Sequence, residues 1–458
     1  MKTMKKIYTI VLTVIILFCF TACKDQLDLQ PISTIGDNAF YNTPDEINAA
    51  VVAIYDGLQN VVQREFAITE MRSDNTRTKS SEGDWAQFQE FDVKPTNLTV
   101  SSYWSSYYNV IFRTNKVLEN LDVVTNDVQR AQYEGEAKFV RALAHFNLLR
   151  AYGAIPYIDR VIIQTDTEYM SRDSQADVLA AIIADLTEAM GKLPTRSGIA
   201  EGRATSGAAA ALLAKVQLTA ENYPAAETLL SQLLTSTDYE LVDNYRNVFY
   251  SELNSEIIFA IQFLNDNANE SQDFSFEMTA GGQASGLNYI TNDFIASVDP
   301  LDTERSGTLF NPNVSVEVGK FMTTSNDARL CGNDWIVLRL ADVYLMHAEA
   351  IMAGSSSTND IDAIASYNTI RNRVGLSTLP LDGSATLTRD VLLKERRVEL
   401  AFENHRLYDL MRFGVAESVL SAFAVSEGYN FAATDLLLPI PQREIDTSFG
   451  VLTQNPGY

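Results

Sequence analysis

Residues 206–220, SGAAAALLAKVQLTA, consist almost entirely of small and apolar side chains at helical spacing. The turn Glu221-Asn222-Tyr223-Pro224 follows, and then a second helical run, AAETLLSQLL. Small residues at a crossing let two helices approach to the short end of the usual ~8–10 Å separation. A helix pair of this kind cannot bury its own apolar surface, so the pattern commits this part of the chain to a helical assembly.

The spacing within the pair follows the logic of a tetratricopeptide unit. Leu213-Ala214 supplies a large and a small residue on the first helix. Ala226 supplies the small residue on the second, and Leu230 packs beyond it. A second pair is predicted over 336–374. Tyr344, His347 and Ala348 take its first-helix positions, and Ala363 or Ala365 the second, after an insertion carrying Gly354-Ser355-Ser356-Ser357.

Helix is predicted elsewhere too. Thr43-Pro44-Asp45-Glu46 is a helix start, with a Thr cap, an early Pro and acids against the dipole. Val51, Val52, Ile54, Tyr55 and Leu58 continue it. A polar stretch, 73–102, interrupts, and helix resumes through Tyr107, Val110, Ile111, Val117 and Leu118. A long helix is predicted over 129–152, closed by Gly153 and Pro156, and another over 173–190, closed by Gly191 and Pro194. A third helical block, 390–413, is unusually charged. Residues 265–333 are the least helical, with Gly281-Gly282 and the alternating Val314-Ser315-Val316-Glu317-Val318. A stretch of that length without regular structure inside a helical protein points to a functional role.

The N-terminus has its own signature. Lys2, Lys5 and Lys6 precede an apolar run over 7–20, too short for a membrane span but suited to an export signal. Phe20-Thr21-Ala22-Cys23 then resembles a bacterial lipobox, with Phe where Leu is usual. Residues 1–22 are therefore assigned as a lipoprotein signal peptide, with Cys23 as the lipidated first residue. An ordinary secretory signal is the alternative. Of three cysteines, Cys19 leaves with the signal and Cys23 is acylated, so Cys331 has no partner for an intramolecular disulfide. Lys24-Asp25-Gln26-Leu27-Asp28 resembles a surface-export tether.

Charge narrows the partners. The chain carries 35 Lys+Arg against 59 Asp+Glu, a formal net charge of −24. Removing the signal, with its three lysines and no acid, takes this to −27. Such a chain repels nucleic acid and anionic lipid surfaces.

No catalytic constellation stands out. His145, His347 and His405 each fall inside a predicted helix. There is no HExxH, Cys pair, phosphate-cradling Gly loop or Gly-x-Ser-x-Gly elbow. No catalytic residue, metal ligand or cofactor is assigned, and the chain is not expected to be an enzyme. Glu395, Glu399 and Glu403 stand four apart among Arg396, Arg397, Arg406 and Arg412 and are assigned to a structural ion-pair network. Arg339 and His347 are read as satisfied core groups and Trp335 as a core anchor.

Glycan binding needs aromatic rings to stack on pyranose C–H faces and polar side chains to take the hydroxyls. Two loop stretches carry both. Asp74, Asn75 and Arg77 precede Trp85, Phe88 and Phe91, with Asn97 beyond. The irregular region offers Phe274, Phe276, Gln283, Asn288, Tyr289 and Asn292. The candidate ligand contacts are Asp74, Asn75, Arg77, Trp85, Phe274, Phe276, Gln283, Asn288 and Tyr289.

Four stretches together resemble the SusD/RagB family of Bacteroidota outer-membrane lipoproteins. They are GEAKFVRALAHFNLLRAYGAIPY (135–157), GRATSGAAAALLAKVQL (202–218), DWIVLRLADVYLMHAEA (334–350) with YNTIRNRVGL (367–376), and LLKERRVELAFENHRLYDLMRFG (392–414) with the closing LLLPIPQREIDTSFGVLTQNPGY (436–458). They occur in the family's order. The resemblance implies a mostly α fold, in which TPR-like helix pairs form a superhelical scaffold. Irregular loops and minor β structure would overlay it as the ligand face. It implies a single domain over 23–458, with the irregular insertion at about 265–333. It also implies a lipid-anchored outer-membrane protein facing the cell exterior. Such a protein captures oligosaccharides or polysaccharides and delivers them to a SusC-like TonB-dependent transporter. Peptides are the alternative ligand class, and a surface glycan-degrading enzyme the alternative activity. In the family the ligand face includes the loop after the first helix. Asp74-Asn75 match there by motif and Arg77 and Trp85 by region, while the later stretch is carried over by no motif.

Overall fold

The computed structural model describes residues 40–78, 83–163, 165–279 and 287–458. The signal segment, Cys23 and Gln283 lie outside the described residues.

Eight helices form the scaffold. They are α1 (Pro44–Val62), α2 (Leu98–Glu119), α3 (Asp127–Tyr152), α4 (Gln175–Lys192), α5 (Ser206–Thr219), α6 (Tyr223–Thr235), α7 (Leu340–Met352) and α8 (Ile361–Arg373). Each packs on the next in chain order, so they stack as four successive pairs. The protein is mostly helical, with TPR-like pairing as the organising unit.

Local chemistry sets the starts. Thr43 opens α1 with a capping box, its hydroxyl taking the Glu46 N–H while Glu46 reaches back. Asn126, Ser174, Thr205 and Asp360 cap α3, α4, α5 and α8 through side-chain oxygens. Gly153, at φ +76°, ends α3. The small-residue stretch meets its partners closely: a Cβ on Gly207 would lie 2.6 Å from the Tyr239 hydroxyl.

Three expected boundaries shift. The polar stretch predicted to run to residue 102 ends earlier, because Asn97 caps α2 by accepting from the Thr99 and Val100 N–H groups. Residues 336–339, expected to begin a helix, instead lie in a strand, Trp335–Arg339, antiparallel to β2 (Ile257–Ile261). A short apolar run reads equally as strand or buried helix, and the partner run IIFAI decides it. The block 390–413 divides into α9 (Arg389–Glu399) and α10 (Arg406–Arg412), because Phe402 and Asn404 adopt left-handed backbone at φ +65° and +63°.

The segment 265–333 lies over the scaffold as three short helices (Phe274–Met278, Asn292–Ser297 and Thr303–Leu309) and short strands. One apolar cluster runs from Ile47 to Leu452 and includes Trp335, which is 3% exposed. The histidines are structural. His145 Nε2 accepts from the Ile158 N–H at 3.1 Å, and His347 sits between Ser231 and Ser366.

α9 ties overlay to scaffold through charge. Arg339 Nη1 reaches Glu256 at 2.8 Å and Glu399 at 2.7 Å, while its Nε reaches Glu403 at 2.7 Å. Arg373 of α8 pairs with Glu256 and Glu399. From the overlay, Arg305 contacts Glu395 at 2.6 Å and Glu399 at 3.3 Å, and Lys320 contacts Glu403 at 2.6 Å. A second knot joins Arg396 to Asp409 and Asp342, the latter also held by Lys215 of α5 at 2.8 Å. All these groups are buried.

Burial alone would raise the Glu399 carboxyl, but Arg373, Arg339 and Arg305 hold it far below the usual carboxylate range. Glu399→Gln is expected to lower unfolding free energy by about 3–5 kcal/mol, since it leaves buried cations short of a partner. A depressed folded pKa gives stability that is present above the unfolded value and lost as pH falls. The gap between wild type and variant should therefore narrow from about pH 5 downward, which denaturant titrations across pH would measure. Ligand affinity of the folded variant should be unchanged.

Candidate functional site

The two loop stretches singled out in the sequence meet. Strand β1 (Thr76–Arg77) pairs antiparallel with β3 (Tyr289–Ile290), placing Arg77 opposite Tyr289 and Thr76 opposite Ile290. These residues are more than 200 positions apart in sequence. The Thr291 N–H continues the ladder to the Asn75 carbonyl at 2.9 Å, and its hydroxyl donates to the Asp74 carbonyl at 2.7 Å.

Asp74 and Asn75 hold this ladder in place from below and do not reach its surface. Arg406 grips the Asp74 carboxylate with two hydrogen bonds of 2.7 Å, and Arg397 adds a third contact at 3.1 Å. Burial would raise the Asp74 carboxyl, but Arg406 and Arg397 bring it below its ordinary value. Asn75 is fully buried between Glu70 and Arg397. The polar capacity expected for ligand hydroxyls is thus committed inside the protein. Phe274 is likewise a core residue. It is 0% exposed among Phe263, Phe321 and Trp335, with ring centroids 5.2–6.0 Å away. On a one-turn helix Phe274 and Met278 are buried together while Phe276 stays half-buried. Asn97 is a helix cap, and Phe88 and Phe91 are buried.

The remaining candidates form a connected face. Trp85 is half-buried, its ring parallel to Phe66 at 6.4 Å and 16°, with the Arg64 guanidinium 6.0 Å above it. Arg64 forms a two-pronged pair with Asp273, at the start of the helix carrying Phe276. The Arg329 guanidinium lies 3.9 Å over the Phe276 ring and bonds Glu277 at 3.2 Å. The chain Trp85–Arg64–Asp273–Phe276–Arg329 therefore joins two aromatic platforms. Arg77 is exposed and lies 3.5 Å from Glu427. Sequence reasoning missed Arg64, Asp273, Glu277 and Arg329, because no local pattern marks an arginine that will cross to another loop.

Under this face lie unpaired polar atoms. Asn288 is 0% exposed, yet neither its amide oxygen nor its nitrogen has a hydrogen-bond partner among the described residues. The same holds for Thr76 Oγ1, Glu277 Oε2 and the Tyr289 hydroxyl. Asn288 and Glu277 are adjacent, since the Asn288 N–H donates to the Glu277 carbonyl at 3.2 Å. Burial pushes the Tyr289 hydroxyl up to about 12, with Glu317 and Glu277 adding to it, so it stays a neutral donor. Buried polar atoms in folded proteins nearly always find partners. A neighbourhood with both donors and acceptors to spare is chemically suited to hydroxyl-bearing ligands. No group of three metal-ligating side chains occurs among the described residues.

Two family models match the chain: "SusD family" over residues 302–458 and "Starch-binding associating with outer membrane" over 25–218. The chain belongs to the SusD/RagB family. SusD-like protein P25 of Formosa agariphila is 25% identical, covering 99% of this chain and all of that protein. A SusD-like protein of Bacteroides ovatus is 26% identical, covering 86% of this chain and 80% of its own length. Among solved structures, a laminarin binding SusD-like protein is 28% identical with a TM-score of 0.76, covering 91% of this chain and 100% of that one. Surface glycan-binding protein A from Bacteroides thetaiotaomicron, in complex with laminarihexaose, shares the fold at 23% identity, 90% and 99% coverage and a TM-score of 0.77. The second family model's description carries the association with the outer membrane. No helix among the described residues is long and apolar enough to cross a membrane.

The different placements of two neighbouring phenylalanines give a direct check. Phe274→Ala should cost about 3–5 kcal/mol of stability, as a fully buried aromatic. Phe276→Ala should cost less than about 1 kcal/mol. Chemical denaturation of the two variants side by side measures the contrast.

Proposed function

We propose that this SusD/RagB chain is a cell-surface glycan-binding lipoprotein. It captures oligosaccharides on the face built around β1 and β3 and delivers them to a SusC-like TonB-dependent outer-membrane transporter. The observation that carries the reading is the linkage of two half-buried rings, Trp85 and Phe276, through Arg64 and Asp273, on loops that the β1–β3 ladder brings together. Trp85 and Phe276 supply flat apolar surface for sugar C–H faces, and the exposed Arg77 supplies hydrogen bonds to hydroxyls, while Asn288 and Tyr289 lie buried beneath the face. A laminarin binding relative at 28% identity supports a glucan-type ligand class.

Trp85→Ala is expected to lower oligosaccharide affinity by about 1–3 kcal/mol, by analogy with loss of a base-stacking ring. That is roughly a five- to hundred-fold rise in Kd. The melting temperature should fall by no more than a few degrees, since the ring is only half-buried. Calorimetric titration of laminarin oligosaccharides, with melting curves alongside, tests both. Unchanged affinity with a strongly lowered melting temperature would make Trp85 a core residue and refute its part in the face.

The anchor rests on the lipobox at Cys23. Cys23→Ser should leave the protein unacylated and released from outer-membrane fractions. Retention of the variant in those fractions would defeat the lipoprotein assignment.

A further inference from the structure

A second cleft of about 390 Å³ lies between α2, residues 156–162 and 169–170, and the C-terminal segment 444–452. It shares no residue with the β1–β3 face. Its walls are Trp104, Tyr108, Ile158, Ile162 and Tyr169, with Glu444 at the side. Trp104 is 3% exposed and packs against Tyr108 with ring centroids 4.9 Å apart, so the aromatic wall is rigid.

The polar groups of the cleft are unbalanced. The Tyr108 hydroxyl donates to the Pro156 carbonyl at 2.8 Å. Ser105, Thr447 and Ser448 donate to carbonyls of their own helices, at 3.2, 2.9 and 2.8 Å. Their protons are used, and the Ser448 oxygen also accepts from the Leu452 N–H at 3.0 Å, while the Tyr169 hydroxyl accepts from Arg160 at 3.3 Å and keeps its own proton. Glu444 is half-buried, and among the described residues its carboxylate has no hydrogen bond and no salt bridge. Burial raises the Glu444 carboxyl, with the Arg443 charge opposing. Among the described residues, no Lys, Arg, Asn or Gln lines the cleft. A half-desolvated carboxylate among aromatic rings and acceptors is complementary to a cation with an apolar body.

We propose that this cleft binds an alkylammonium group, the chemistry of a lysine side chain. The ammonium is held by Glu444 and by the face of Tyr108, and its methylene stem lies along Ile158, Ile162 and the edge of Tyr169. The volume is at the lower end of the range for small-ligand sites. The Arg160 guanidinium lies 4.9 Å over the Tyr169 ring and pairs with Asp159, so it leaves Glu444 to an outside cation.

The probes are Nα-acetyl-lysine methylamide, its Nε-acetylated neutral counterpart and laminarihexaose. Each is titrated into the full mature protein, wild type, Glu444→Gln and Tyr169→Ala, with saturation-transfer NMR as readout. The cationic probe is expected to bind at least about fivefold more tightly than the neutral one. Either substitution should weaken it by a similar factor, while melting temperatures and oligosaccharide affinity at the β1–β3 face stay as in wild type. Equal binding of the two lysine probes would reduce the cleft to an apolar pocket and overturn the proposal. So would the absence of binding, or displacement of the cationic probe by laminarihexaose. Failure of laminarihexaose to bind anywhere would count against the glycan reading and leave this one intact.

Discussion

Buried charge is the constraint on which the structure depends. Arg339 and Glu399 are each no more than 1% exposed, and an unpaired ion so placed would cost several kcal/mol. Each is therefore surrounded by opposite charge drawn from distant parts of the chain: Glu256 from the turn before a strand, Arg373 from α8, and Arg305 and Lys320 from the overlay. The network fixes relative positions more than it adds net stability, because desolvation offsets much of the Coulomb gain. Repeated helix pairs pack by interchangeable apolar contacts and leave overlying loops free to slide. Directional charged hydrogen bonds to α9 and α10 remove that freedom.

The proposed ligand face inherits its geometry from this arrangement. Its strands are two residues long, too short to hold together alone. They are held because Arg406 and Arg397 clamp Asp74, and Arg397 also reaches Asn75 and Asp293. Asp293 follows β3 by three residues, so one arginine of α9 grips both strands of the ladder. Residues that match the family by motif thus serve the face from beneath it. Those that build its surface are set by loop-to-loop contacts.

This division explains how much of the protein was legible in the sequence. α3, α5 and α6 could be read because helical period, caps and stops are local signals. The charged block could be assigned to structure because Glu395, Glu399 and Glu403 share a helical spacing with arginines. The strand Trp335–Arg339 could not, since its partner lies some 75 residues earlier and a short apolar run has no diagnostic period. Asp74 and Asn75 were misjudged for the same reason. A polar pair on a loop looks available until the chain folds an arginine onto it from more than 300 residues away. The pairing of Arg77 with Tyr289 was hidden as well, although both residues could be named as candidates.

The electrostatics of the face fit the ligand class. The chain is strongly acidic overall, yet the face carries Arg64, Arg77 and Arg329. Each is matched: Arg64 to Asp273, Arg329 to Glu277 and Asp273, and Arg77 to Glu427. Matching cancels the net field while leaving guanidinium N–H groups and ring faces in place. A neutral oligosaccharide gains nothing from net charge. It needs donors and acceptors at fixed positions beside flat apolar surface, and it competes with water for each hydrogen bond. On the proposed reading, a face that is polar in detail and neutral in sum, on an otherwise acidic protein, selects against anionic ligands by repulsion and for neutral ones by geometry.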